Sequence, residues 1–221
     1  MSSLEKLEFV KPADIETRSF EIISNELAEK GIELDPANEL VIKRVIHTSA
    51  DFEYADTLVF SENATALGIE ALKAGCSVVT DTKMAASGIN KRVLARFGGE
   101  VHNFISDADV AEEAKARGLT RSAVCMERAA ALGKPLIYAV GNAPTALVRI
   151  YEMLQAGEMQ TPPALIIGVP VGFVNVVESK ELICELDVPH IVARGRKGGS
   201  NVAASIVNAL LYLASNNYRG Y

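Results

Sequence analysis

Six short apolar runs, at residues 57–60, 76–80, 100–105, 135–140, 164–169 and 190–193, constrain what this chain can fold into. After each run comes a polar or glycine-rich segment and then a helical pattern. Helices are predicted over 64–74, 90–97, 107–117, 120–132, 144–156, 175–186 and 200–214. Runs rich in Val, Ile and Leu that do not alternate with polar residues are strands buried on both faces, so the pattern predicts a mostly parallel sheet with helices on either side. Two more helices precede it. Residues 12–30 place Ile15, Phe20, Ile23 and Leu27 on one face, with Gly31 as the stop. Asp35-Pro36 reads as the N-cap and first position of the next helix, which buries Leu40, Val41, Val45 and Ile46. No linker, repeat or low-complexity stretch divides the 221 residues, so one domain over residues 1–221 is expected.

Charge and cysteine usage narrow the function classes. The formal net charge of −6 argues against a nucleic-acid partner, which would call for a basic face. No apolar run reaches the ~20 residues of a membrane span, and the start, MSSLEKLEFVKP, lacks a secretory leader, so a cytoplasmic protein without a membrane partner is expected. Cys76, Cys125 and Cys184 are odd in number and widely spaced; they read as small, reduced, partly buried residues rather than a disulfide framework or a metal site.

In a parallel α/β sheet, ligands bind beyond the carboxyl ends of the strands. The six segments after the runs are therefore expected to share one rim: Ser61-Glu62-Asn63, Asp81-Thr82-Lys83-Met84, Ser106-Asp107, Gly141-Asn142-Ala143-Pro144, Gly168 to Gly172, and Arg194 to Asn201. The last holds Arg194, Arg196 and Lys197 within four positions. Gly198 and Gly199 follow to let the backbone approach a ligand, and Ser200 opens a helix whose first amides favour an anion. It matches neither GxxxxGK[ST] nor GxGxxG, and carboxylates suit it as well as phosphates. A solvated basic turn is the alternative. Arg18-Ser19 on the first helix and Arg121-Ser122 at the start of another add basic and hydroxyl groups, with solvated helix surface as the alternative there. His47 falls where its helix should end, before Thr48, Ser49 and Asp51. There an imidazole can reach out of the body, or it can merely offset the helix dipole. His102 and His190, in or beside strands, read as structural.

Together RVIHTSADF, TDTKMAASGI, TRSAVCMERAA, GNAPTAL, PALIIGVPVGFV and VARGRKGGSNVAA resemble the precorrin-8X and cobalt-precorrin-8 methylmutases of vitamin B12 biosynthesis, in order from about Arg18 to Leu213. The resemblance implies a flavodoxin-like three-layer α/β/α fold, a homodimer, and an isomerase with no separate cofactor, any cobalt belonging to the corrinoid substrate. The implied reaction moves a methyl group on ring C from carbon eleven to carbon twelve. The family's catalytic histidine falls on His47 and its substrate-binding serine on Ser19. Such a flat, carboxylate-rich substrate calls for charges such as Arg121, Arg194, Arg196 and Lys197 around apolar walls such as Met84, Val171 and Phe173, with Thr82, Lys83, Asn142 and Ser200 on the rim between them. The competing classes are a tetrapyrrole carrier without turnover and a Rossmann-like enzyme acting on a phosphorylated substrate. The HTSADF wording leans towards a cobalt-bound substrate.

Overall fold

The structure, a computed structural model, describes residues 7–216. The first six residues of the start that was read as leaderless lie outside them. Five strands are mutually parallel: β2 (Ser77–Thr80), β3 (Val101–His102), β4 (Leu136–Val140), β5 (Leu165–Gly168) and β6 (His190–Ala193). They lie in the order β3-β2-β4-β5-β6, and β1 (Leu58–Phe60) adds to the β6 edge. Numbered among themselves the parallel strands run second, first, third, fourth, fifth, which is the flavodoxin-like order. Every residue of β2, β4, β5 and β6 is buried, the physical reason their runs do not alternate with polar residues. The 100–105 run contributes only Val101 and His102 to the ladder. Beyond them Asn103 turns its side-chain amide onto the Thr80 carbonyl at 2.9 Å and ends the pairing.

Alternate residues of each strand feed two cores. Ile137 and Ala139 face α11 (Ser200–Ala214), α4 (Ala64–Lys73), α5 (Lys83–Gly88) and α6 (Lys91–Arg96); α2 (Glu39–Ser49) packs along α11, and α1 (Ile15–Glu29) on α2. Leu136, Tyr138 and Val140 face α7 (Ala108–Arg117), α8 (Arg121–Ala130), α9 (Pro144–Gln155) and α10 (Val176–Cys184). Helices on both faces of one sheet complete the three layers. No helix among the described residues is long and apolar enough to cross a membrane.

Three local expectations are corrected. Ile15 is 53% exposed, because α1 meets the body through its later turns, where Ile23 and Leu27 are buried and Phe20 is half-buried. The second helix begins at Glu39 rather than at Asp35-Pro36. The Asp35 carboxylate is engaged in a turn, accepting from the Ala37 amide at 3.0 Å and the Asn38 side chain at 2.8 Å, and Asn38 becomes the cap residue. Finally, β1 runs antiparallel to β6. Ser61 therefore lies at the opposite rim, where its amide and hydroxyl bond His190 O and N at 2.9 Å each. Ser61-Glu62-Asn63 is removed from the expected rim. The same reversal brings the beginning of β1 to that rim, because the Arg194 amide donates to Thr57 O at 2.8 Å. With it come α3 (Tyr54–Thr57) and the loop that leaves α2 just after His47.

Candidate active site

His47 is exposed in the last turn of α2. The helix stops at Ala50, which is left-handed at φ +54°, and the backbone turns there while the imidazole stays on the surface. Its ring centroid lies 5.6 Å from that of Phe20, tilted by 34°. The neighbouring cations are both engaged. Lys43 pairs with Glu39 and donates to Ser24 Oγ at 2.8 Å. Arg44 pairs with Glu16 and lies between the rings of Phe20 and Tyr212, at 5.1 and 4.6 Å from their centroids. Ser19 is next to Phe20 in α1 and donates its hydroxyl hydrogen to Ile15 O at 2.9 Å, which leaves its oxygen able to accept. Arg18 is held by Glu8 at 2.9 Å and Glu21 at 3.3 Å. A cleft of about 760 Å³ opens between α1 and α2, and its lining includes Phe20, Ser24, Lys43 and Leu213 but neither His47 nor a strand-end loop.

The basic loop is tied to the His47 segment directly. Lys197 Nζ donates to Asp51 Oδ2 and Glu53 Oε2 at 2.6 Å each, and this holds the Asp51 carboxyl below its ordinary range. Asp51 is four residues from His47, at most about 14 Å of extended chain. Arg194 lies 3.3 Å from Glu181, and the Arg196 guanidinium lies 5.4 Å from the Phe173 ring centre. Gly198 is required by packing: a Cβ there would sit 2.2 Å from the Val169 carbonyl oxygen, so the close approach is to the protein's own backbone. Beneath the loop Lys180, fully buried, donates to Gly195 O and Lys197 O at 2.8 Å each, and burial pulls its pKa down to about 8.

The next loops converge on Asp81, at the carboxyl end of β2. Its buried carboxylate accepts from the amides of Gly141, Asn142 and Ala143 at 2.9, 2.8 and 2.7 Å. Burial pushes its pKa up and the three donors work against that. The boundary between β2 and β4, where strand order reverses and an anion would be expected in such a sheet, is thus occupied by the chain's own carboxylate. Thr82 caps α5 and its hydroxyl meets Ser200 Oγ at 2.7 Å, which joins the starts of α5 and α11. Lys83, Met84 and Asn142 are exposed. Thr120 caps α8 and meets Thr145 Oγ1 at 2.8 Å, so exposed Arg121 and half-buried Ser122 stand beside the start of α9 on the same rim. Met84, Val171 and Phe173 are 72, 47 and 80% exposed, apolar surface left open around the charges.

His190 is buried with Nδ1 2.9 Å from Val188 O, and His102 stacks on Phe104 with its pKa lowered by burial. Cys76 and Cys125 are buried thiols with pKa values raised to about 11, and Cys184 is half-buried. Sequence reasoning gave no role to Lys180, to Asp81, or to Asp51 and Glu53 as partners of Lys197. For Lys180 a signal exists, since Val176, Lys180 and Ile183 share a helix face at i, i+4, i+7 spacing and that face is apolar apart from Lys180 and the small Ser179.

Fold and rim together define a doubly wound α/β protein of flavodoxin-like topology, with an imidazole, basic groups and apolar surface gathered at the carboxyl ends of its strands. The family model for precorrin-8X methylmutase matches residues 14–213, and the chain belongs to that family. It is 47% identical over 206 residues to the cobalt-precorrin-8 methylmutase of Salmonella typhimurium, covering 91% of this chain and 95% of that protein. It is 41% identical over 195 residues to the precorrin-8X methylmutase of Pseudomonas aeruginosa, covering 87 and 91%. The crystal structure of precorrin-8X methyl mutase from Thermus thermophilus superposes with a TM-score of 0.82 at 38% identity, covering 92% of this chain and 98% of that one. The chain is a methylmutase enzyme.

Proposed function

We propose that this methylmutase acts on cobalt-precorrin-8 and moves a methyl group on ring C from carbon eleven to carbon twelve, with His47 giving and retaking a proton. The observation that carries this is an exposed imidazole, linked through Asp51, Glu53 and Lys197 to a basic loop on a rim with open apolar surface. A macrocycle with apolar faces and carboxylate arms matches that surface: its edge meets Arg121, Arg194 and Arg196, and its face meets Met84, Val171 and Phe173. The shift breaks one carbon–carbon bond and forms another within the same molecule, so it needs no leaving group, nucleophile or separate cofactor, and cobalt arrives with the substrate. Protonating a ring nitrogen makes the migration terminus electron-poor, and the same imidazole recovers the proton once the methyl group has moved. Occupation of the β2/β4 boundary by Asp81 counts against the phosphorylated-substrate alternative, which would want those three amides for itself.

The enzyme works as a homodimer in this reading, a second copy closing over a rim that one chain leaves open at Phe173 and Val174, 80 and 78% exposed. Sedimentation should show a dimer at micromolar concentration; a fully active monomer would refute it. The deciding test of the mechanism is His47→Ala. It should fold and bind substrate, yet turn over roughly a hundred- to ten-thousand-fold more slowly, followed by the change in absorption spectrum with cobalt-bound and metal-free substrate in parallel. Turnover near the wild-type rate would remove His47 from the mechanism, and faster turnover of the metal-free form would reverse the choice of substrate.

A further inference from the structure

α10 turns Val176, Ser179, Lys180 and Ile183 inward. The cation among them has no exposed surface. A buried amine is tolerated only when hydrogen bonds replace its lost water. Both bonds here go to main-chain carbonyls, Gly195 O and Lys197 O at 2.8 Å each. The intervening carbonyl, Arg196 O, accepts from the Gly172 amide at 3.2 Å. Three consecutive carbonyls are thus turned onto protein donors, two of them held by one side chain. The nearest carboxylate in sequence, Glu181, faces Arg194 instead. What Lys180 recognises is the backbone path of the loop. The donor count also fits: a neutral amine has two N–H groups for these two acceptors, so the grip survives loss of the proton.

We propose that Lys180 is the positioning residue of the substrate-carboxylate seat. By holding the Gly195 and Lys197 carbonyls it fixes where Arg194, Arg196 and Lys197 present their charges, without touching substrate. This rests on the reading that the basic loop binds the substrate's carboxylates, and two measurements on the full-length protein separate the two ideas. One is limited trypsin cleavage after Arg194, Arg196 and Lys197, with cleavage after Arg92 in α6 reporting general opening. The other is KM and kcat with cobalt-precorrin-8. Lys180→Met should be cleaved in the loop at least tenfold faster with Arg92 unchanged, and KM should rise at least tenfold while kcat stays within about threefold. Loop cleavage no faster than wild type overturns the positioning role and leaves the functional reading intact. Faster loop cleavage with unchanged KM overturns the loop as the seat, and the positioning role for this reaction with it. Should Lys180→Met not fold, Lys180→Gln, which keeps N–H donors on a shorter side chain, is judged by the same outcomes.

Discussion

His47 and Lys180 stand in opposite environments, one in water at a helix end and the other with no surface at all. An exposed imidazole can be reached by a large ring. The buried amine cannot be reached, and its chemistry shows in stability instead. Its folded pKa is lowered to about 8 from 10.5 by burial. Between those values the unfolded chain holds a proton that the folded chain has released, so stability must rise with pH across that window, and the gain is absent below pH 8. At 1.36 kcal/mol per pKa unit the full gain is up to about 3 kcal/mol. Urea unfolding of wild type and Lys180→Met from pH 7.5 to 10.5 should show the difference moving in favour of wild type as pH rises. A difference independent of pH would mean that the amine titrates normally. The basic side chains of the loop are not equivalent either. Arg194 faces Glu181 and Lys197 faces Asp51 and Glu53, while Arg196 lies over an aromatic ring. Arg196→Ala should therefore weaken substrate binding most, by about 1–3 kcal/mol, and Lys197→Ala least, because its carboxylate partners must be displaced first. Equal losses at all three positions would contradict that ranking.

At the scale of elements, the end of α2 is decided by one residue in an unfavourable conformation. Ala50 occupies the left-handed region, which costs a non-glycine residue about 1–2 kcal/mol. Ala50→Gly should raise stability by up to about 1 kcal/mol, the relief being reduced by the entropy glycine gains when unfolded. Ala50→Val should lower it by about 1–2 kcal/mol, and thermal unfolding distinguishes the signs. A helix ending in Ser49-Ala50-Asp51 carries a weaker stop signal than one ending in glycine, which is why the position of His47 could be read while the turn beyond it could not. The helix stop at Gly31 was legible because glycine takes φ +67° there without strain, and the helix start at Thr120 because its hydroxyl has a free amide to accept from three residues on, whereas the short helix that Thr82 caps was not predicted. The start of α2 was misread for a related reason. An aspartate before proline can cap a helix or close a turn, and here its carboxylate does the latter.

Across the whole molecule, the loop at Arg194–Gly199 binds both halves of the rim together, and Gly198 is where it touches the sheet. Gly198→Ala places a methyl group 2.2 Å from Val169 O, against backbone that cannot rotate away. It should cost about 1–3 kcal/mol of stability and raise KM by lifting the loop, whereas Gly133→Ala, with open space at its Cβ position, should leave KM unchanged. The sequence by itself determined the layers and the order of the strands and longer helices along the chain, because buried strands and amphipathic helices write their periods locally; α3 and α5, of four and six residues, are too short to do so. It also exposed the residue types of the rim, since loops after parallel strands must share one edge. Tertiary structure alone decided the direction of β1, a three-residue strand whose orientation depends on which edge accepts it and not on its own side chains. That reversal took Ser61 off the rim and put Asp51 and Glu53 on it. It decided, too, that Asp81 closes on the amides of residues 141–143 and that Lys180 grips a loop 15 residues away. Both are contacts between separate segments, and no local pattern encodes a partner that only folding brings within 3 Å.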